Sequence, residues 1–471
     1  MSPPDSPPAP ARGDRVEMRI DDLAYGGRGV GRIGRFVVFV EGALPGEVVR
    51  AQIRRRRSGY AEASLLELVR PSPDRIRPRC EHYGKCGGCV LQHLGVQAQA
   101  AAKGHQVREI LARVAGIANP PVRETVPSPE AWGYRFRMDL DWERRADGRP
   151  GLGLHLRDRP DRTFDIDACH LMSREAVRLA LWMRGRAAKL GMRALDRRVG
   201  RGLLRRLTVQ EARATGELLL GLETGRGDPP ALMLLARATM RRFPRVVGIV
   251  RREIDARGEP AGISILAGRD HLFEEVEGDR FKIPASAFFQ PNGPGTPLLR
   301  RLVIEALDPA PRDSILELHA GVGLFTIELA RRAGTVVAVE GMRESAAAAR
   351  ENLARAGHGS VRVVAGNVAK EMVPLLHERS WDAILLDPPR PGLDPKTVAI
   401  LADAGPPRMV YVSCDPSIMA RDIRILRERG RYELRSVVPV DLFPQTHHVE
   451  CVASLARGEV VEGNDLGGDG S

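Results

Sequence analysis

The chain of 471 residues has no apolar run long enough to cross a bilayer. Its first residues, MSPPDSPPAPARGD, are proline-rich and lack the apolar stretch a secretory signal needs. Neither a membrane-spanning nor an exported protein is expected, and a cytoplasmic setting follows. Cysteine is scarce: six residues, too few and too unevenly placed for a disulfide scaffold. Aromatic residues make up 4%, so the core has to come from aliphatic side chains, which Gly and Pro interrupt at loop-like spacings. The length predicts two or three domains, with the ends, residues 1–14 and the Gly/Asp-rich 458–471, disordered.

Acidic residues are outnumbered, 60 against 72 Lys and Arg, for a net charge of +12 in which arginine dominates. Basic residues recur at Arg54–Arg57, at Arg197, Arg198, Arg201, Arg205 and Arg206, and around Arg241, Arg242, Arg245, Arg251 and Arg252. Arginine-rich composition accounts for part of this. Basic patches on successive segments still fit a polyanion better than a membrane or a small neutral substrate, and nucleic acid is the expected partner.

Residues 15–72 alternate with period two between Gly-rich turns, as in VEMRIDDLAYGGRGVGRIGRFVVFVEG, which predicts a small β-barrel. A basic five-stranded barrel is a common oligonucleotide binder. RCEHYGKCGGCVLQH then places Cys80, Cys86 and Cys89 within ten residues, and Cys169 follows in DIDACHLM. Three cysteines so close, with Gly87 and Gly88 letting two sulfurs turn inward, predict a metal site completed by a distant thiol. Spacing alone leaves a [4Fe–4S] cluster and structural zinc both open, and His82, His93 and His170 are candidate ligands for zinc. The site belongs to an expected central α+β domain, residues 73–285, in which a helix within about 91–118 packs on the C-terminal domain.

From about residue 286 to 457, apolar strands alternate with amphipathic helices, the signature of a parallel sheet covered on both faces, with ligands at the carboxyl ends of its strands. SILELHAGVGLFTIELARRAG is a strand, a Gly turn carrying Gly321 and Gly323, and a helix. Glu340 closes the next strand 17 residues past Gly323, where a carboxylate holds ribose hydroxyls. The third glycine of a dinucleotide fingerprint would fall near Thr326 and is missing, while WDAILLDPPRPG sets a rigid Pro-Pro loop beside Asp387. These features favour an S-adenosylmethionine-type site over NAD. In MVYVSCDPSIMARDI a lone cysteine, Cys414, ends an apolar strand at a Pro turn, a place that can expose sulfur rather than bury it.

FFQPN (288–292), ELHAGVGLFT, VEG, DPPRPGLDP, YVSCDP and HHVEC, in that order, resemble the motifs of the RNA 5-methyluridine methyltransferase family. The N-terminal barrel resembles a TRAM domain. The barrel and cysteine group together resemble the bacterial 23S rRNA (uracil-5-)-methyltransferases, which carry a [4Fe–4S] cluster, whereas the tRNA enzyme of the family lacks both. The resemblance implies a Rossmann-like class I methyltransferase domain and S-adenosylmethionine as cofactor. It implies RNA as partner, 23S rRNA first and tRNA as alternative. By the same resemblance Cys414 is the nucleophile that adds to C6 of uracil, and Glu450 is the base that removes the C5 proton. Gln290, His319, Gly321, Gly323, Glu340, Asn367 and Asp387 surround the cofactor, and Cys80, Cys86, Cys89 and Cys169 hold the cluster. Phe288, or else Phe289, stacks on a flipped-out base.

The first motif departs from the family pattern: Glu317 stands for Asp, His319 for an aromatic, Ala320 for Cys, and Leu324 for a polar residue. Asp139 occupies a position that is often basic in the ribosomal enzymes. A catalytically silent RNA-binding or ribosome-assembly factor is the rival of a different class, and retention of Cys414 and Glu450 argues against it.

Overall fold

The structure is a computed structural model that describes residues 10–458 apart from 228 and 256. Five strands, Arg15–Ala24, Arg28–Ile33, Phe36–Glu41, Val48–Arg56 and Tyr60–Arg70, close into a barrel in which the first strand pairs with both the second and the fourth. Alternation explains the barrel: Met18, Ile20, Val38, Val40, Val49, Ala51, Ile53, Ala61 and Ala63 point inward, and their neighbours reach solvent. Gly31 is needed where strands approach, because a Cβ there would lie 2.7 Å from the Arg19 carbonyl oxygen.

Of the expected disordered ends, residues 1–9 and 459–471 lie outside the described residues. Residues 10–14 are ordered instead. Gly13 N donates to Ile53 O at 2.9 Å and Ile53 N to Asp14 O at 2.9 Å, so barrel pairing continues past the first strand.

The central domain is a seven-stranded sheet in the order 260–268, 246–254, 218–224, 204–211, 137–144, 150–155, 163–165. The helices Arg174–Lys189 and Pro229–Arg242 cover it over a core that includes Trp142, Leu179, Met183, Leu207, Leu220 and Leu235. Two stretches within 73–285 reach the C-terminal domain, the first of them as expected. The helix Val96–Val114 packs Val107 and Leu111 into the C-terminal core, and Val126–Pro127 pairs with the C-terminal sheet. The hairpin of His271–Val276 and Asp279–Pro284 buries Leu272, Phe281 and Ile283 against the same C-terminal domain. The hairpin bridges the two domains, since Glu274 also accepts from Arg213 N at 2.6 Å and Ala214 N at 2.9 Å in the central domain.

The C-terminal sheet runs 362–365, 335–340, 314–318, 383–386, 408–413, 450–457, 432–441, 126–127. The first five strands are parallel, and Glu450–Arg457 inserts antiparallel between Arg408–Ser413 and Tyr432–Asp441. Counted from 314–318, this is the order 3-2-1-4-5-7-6 of a Rossmann-like methyltransferase domain. The central strands are almost wholly apolar, with Glu317 the buried charged exception, as a sheet buried on both faces requires. Among the described residues no helix is long and apolar enough to cross a membrane.

Candidate active site

The carboxyl ends of the parallel strands meet at one rim. There the chain leaves Ser314–Leu318 through His319, Gly321 and Gly323, with φ of 64°, 59° and 89°. Positive φ suits glycine and is costly for His319, whose side chain is thereby directed by strain rather than propensity. Burial pulls the His319 imidazole down to about 4, so it is neutral. The Glu340 carboxylate ties this turn to the next strand, accepting from Gly321 N at 2.8 Å and Met342 N at 2.7 Å. Asn367 is exposed and caps the helix Val368–Glu378, its side chain accepting from Lys370 N at 3.1 Å.

Beneath the turn lies Glu317, which is 1% exposed and, among the described residues, has no well-formed hydrogen bond to either carboxylate oxygen, with the Thr326 hydroxyl as a polar neighbour. Burial first, then the charges of Asp387 and Glu340, push its carboxyl up to about 8. Asp387, at the end of Ala383–Leu386, is likewise raised to about 7 by burial, and Gln290 Nε2 lies 3.4 Å from its Oδ2. Two buried acids beneath a glycine turn, one of them unpaired, fit a ligand that brings positive charge and hydrogen-bond donors. A Cβ added at Gly321 would meet nothing within 4 Å, so the turn faces open space.

Cys414 follows Arg408–Ser413 and precedes the helix Pro416–Gly430, whose N-terminus Asp415 caps by accepting from Ser417 N and Ile418 N. The antiparallel register pairs Ser413 with Cys451, so the next step along the two strands sets Cys414 against Glu450. Cys414 is half-buried, and its thiol is pushed up to about 12 by burial, then by the charge of Glu450, while Arg390 opposes the shift. Burial and the charge of Asp387 also hold the Glu450 carboxyl well above its ordinary range. Phe288 is 63% exposed, whereas Phe289 is buried on Phe136 and Phe281, so only Phe288 is free to stack on a base.

Sequence reasoning missed what holds Glu450 in place. The connection from 442 to 449 is buried at most of its positions, and donors from four distant segments take its carbonyls. Asn292 Nδ2 donates to Leu442 O at 2.8 Å, Lys103 Nζ to Phe443 O at 3.0 Å, and Tyr134 Oη to Pro444 O at 2.9 Å. Gln445 O accepts from Val90 N and Leu91 N, both at 3.0 Å. Gln99 clamps Gln445 twice, accepting from its backbone N at 2.7 Å and donating to its side chain at 3.1 Å. Lys103 also pairs with Asp441 at 2.5 Å, both side chains being buried. Gln99, Lys103 and Gln106 repeat at helical spacing beside Ala100, Val107 and Leu111. A polar stripe on the apolar face of a helix was the available signal.

The four cysteines come together. Cys80, Cys86, Cys89 and Cys169 line one pocket with His82, Tyr83, His170 and Leu171, and all four are free thiols. Burial raises Cys80 and Cys86 and pushes Cys89 up to about 12, with the charge of Cys169 acting on each. Their placement around one pocket is compatible with the thiol donor set expected from the spacing. Cys80, Glu81 and His170 also bring one ligand atom each within 4.8 Å of one another. His93 turns elsewhere, its Nδ1 held at 2.5 Å by Tyr83 Oη.

Residues 258–458 match the tRNA (uracil-5-)-methyltransferase family model, and residues 11–66 match the TRAM domain. An uncharacterized RNA methyltransferase of Gloeobacter violaceus is 35% identical over 96% of this chain and 99% of its own length. One from Halalkalibacterium halodurans is 31% identical over 94% and 97%. The chain belongs to the RNA (uracil-5-)-methyltransferase family. The crystal structure of the Pyrococcus abyssi tRNA (uracil-54, C5)-methyltransferase with S-adenosyl-L-homocysteine is similar to this methyltransferase. Its TM-score is 0.71 at 27% identity, covering 94% of this chain and all of the other. The alignment with a tRNA enzyme along nearly the whole chain leaves both rRNA and tRNA open as the RNA substrate. The altered first motif of this methyltransferase still forms the Gly turn, because backbone φ and the Glu340 contact carry it and the substituted side chains do not.

Proposed function

We propose that the protein methylates C5 of uridine in RNA with S-adenosylmethionine. The observation that carries this reading is Cys414 and Glu450 set opposite each other at the rim that bears Asp387 and the Gly321–Gly323 turn. S-adenosylmethionine, when bound, supplies an electrophilic methyl group. Gln290, His319, Gly321, Gly323, Glu340, Asn367 and Asp387 would hold it, and the orphaned Glu317 fits its positive charge. Cys414 Sγ adds to C6 of uracil, which breaks the C5–C6 double bond and makes C5 nucleophilic toward that methyl. The thiol stays protonated until the base is seated, so its proton passes to Asp387 as the S–C bond forms and returns when Cys414 leaves, which keeps Glu450 free for the C5 proton. Glu450, whose raised pKa makes it an effective acceptor, takes the C5 proton. The double bond re-forms as Cys414 leaves.

The substrate we favour is 23S rRNA, supported by the resemblance of the barrel and cysteine group to the ribosomal enzymes. The similarity to the P. abyssi tRNA enzyme supports tRNA as a second reading. Cys80, Cys86, Cys89 and Cys169 would hold a [4Fe–4S] cluster that pins the 80–94 segment to the central domain, with zinc as the alternative, and no methylation step passes through it. One zinc and no sulfide in anaerobically purified protein would exclude the cluster.

Cys414→Ala is expected to abolish methylation and the covalent adduct with 5-fluorouridine RNA while keeping RNA binding. Glu450→Gln is expected to accumulate the adduct. Methylation by Cys414→Ala at the wild-type rate would refute the mechanism. Mapping 5-methyluridine in rRNA and tRNA from cells with and without the gene distinguishes the two substrates.

A further inference from the structure

The barrel reaches the catalytic rim with one side chain. Tyr25 sits on the turn between the first two barrel strands, where Gly26 and Gly27 take φ of 101° and 83°. The turn is pinned from behind: Gln106 Nε2 donates to Leu23 O at 2.8 Å and to Ala24 O at 3.3 Å. The Tyr25 ring meets His447 edge-on with centroids 5.5 Å apart. His447 lies 4.1 Å from the ring of His448, which meets Phe443 at 5.7 Å. Tyr25 and His447 are half-buried, with part of each ring open to solvent, and Glu450 is three residues beyond His447. The Tyr25 hydroxyl makes no hydrogen bond among the described residues.

We propose that Tyr25 and His447 form a stacking platform for a base of the substrate RNA next to the target uridine, so that the barrel takes a direct part in seating the substrate. The inference rests on the RNA-methylation reading. Lifting a uridine out of its strand unstacks its neighbour, and an aromatic face at the mouth restores that contact. Both rings are neutral. Tyr25 is held above its ordinary pKa by burial and by nearby Asp415, Cys451 and Cys414, and burial lowers His447. Neutral rings stack on any base, so the platform would fix position while leaving sequence to other contacts.

The test uses the full chain with S-adenosyl-L-homocysteine and two probes, in vitro transcripts of 23S rRNA and of a tRNA set containing 5-iodouridine. Tyr25→Ala should weaken binding of the substrate transcript by roughly 5- to 150-fold, the range for one stacked base, and leave S-adenosyl-L-homocysteine binding unchanged. Tyr25→Phe should bind like the wild type. Irradiation of the wild-type complex should yield an adduct on Tyr25, a readout that needs no variant to fold. Wild-type affinity in Tyr25→Ala, Tyr25→Phe as weak as Tyr25→Ala, or no Tyr25 adduct with either transcript would overturn the proposal. A Tyr25 adduct on a transcript whose unmodified form gains no methyl group when incubated with the enzyme and S-adenosylmethionine would uphold the platform and refute the methylation reading instead.

Discussion

The two halves of the rim are built differently. On the cofactor side, each contributor lies within a few residues of the strand that carries it. Gly321 and Gly323 follow Ser314–Leu318, Glu340 ends Thr335–Glu340, and Asn367 caps the next helix. On the substrate side, Glu450 depends on a connection held by Val90, Leu91, Gln99, Lys103, Tyr134 and Asn292, more than 150 residues away in sequence. A side built from local turns tolerates substitution of its side chains, as the altered first motif illustrates. A side built from long-range hydrogen bonds ties catalysis to the folding of the whole chain.

The largest expected break of this contrast is Lys103→Met. It leaves Asp441 buried without its cation and should cost about 3–5 kcal/mol of stability in urea unfolding. The double variant Lys103→Met with Asp441→Leu should recover most of that loss, since no charge is then stranded. If the single variant is neutral, the substrate side is not held as described.

Glu317→Gln probes the cofactor side with a pH signature. The folded carboxyl titrates near 8 against an ordinary value of 4.5, so between these pH values the folded state keeps a proton that the unfolded chain releases. Its contribution to stability is therefore lost as pH rises through this window. The variant should melt like the wild type near pH 4 and exceed it at pH 8 by on the order of 3 kcal/mol. Binding of S-adenosyl-L-homocysteine should weaken at the same time, because the orphaned acid is retained for its ligand.

Gln99→Leu removes both clamps on Gln445 and should cost about 1–3 kcal/mol. Turnover should fall about tenfold while affinity for S-adenosyl-L-homocysteine stays within twofold, a split that a general folding defect would not produce. The smallest effect on stability is expected from Asn367→Ala, about 1 kcal/mol from the lost cap.

The contrast also explains which features were legible beforehand. Period-two alternation between Met18 and Ala63 sufficed for a barrel, and alternation of strands with helices sufficed for the parallel sheet, because both patterns record burial locally. Cys414 was visible because a Pro turn ends its strand. Pairing it with Glu450 required the antiparallel insertion of the last strand, which no local pattern encodes. That the 271–284 hairpin packs on the C-terminal core was not legible, because period-two alternation tells which face is buried and not what buries it. Of two adjacent phenylalanines, only packing against Phe136 and Phe281 tells which one is core.

By itself the sequence determined the local chemistry: a glycine turn under a carboxylate, a thiol at a strand end, four thiols at ligand spacing, and a basic barrel. Tertiary structure alone decided that the connection leading to Glu450 is held by Lys103, Gln99 and Tyr134, that the Glu317 carboxylate goes unpaired among the described residues, and that Tyr25 of the barrel stands beside His447. The physical reason is range. Turns and strand ends are fixed by neighbours in the chain, whereas the desolvation that shifts a carboxyl and the donor that satisfies a buried carbonyl come from whatever segment the fold brings alongside.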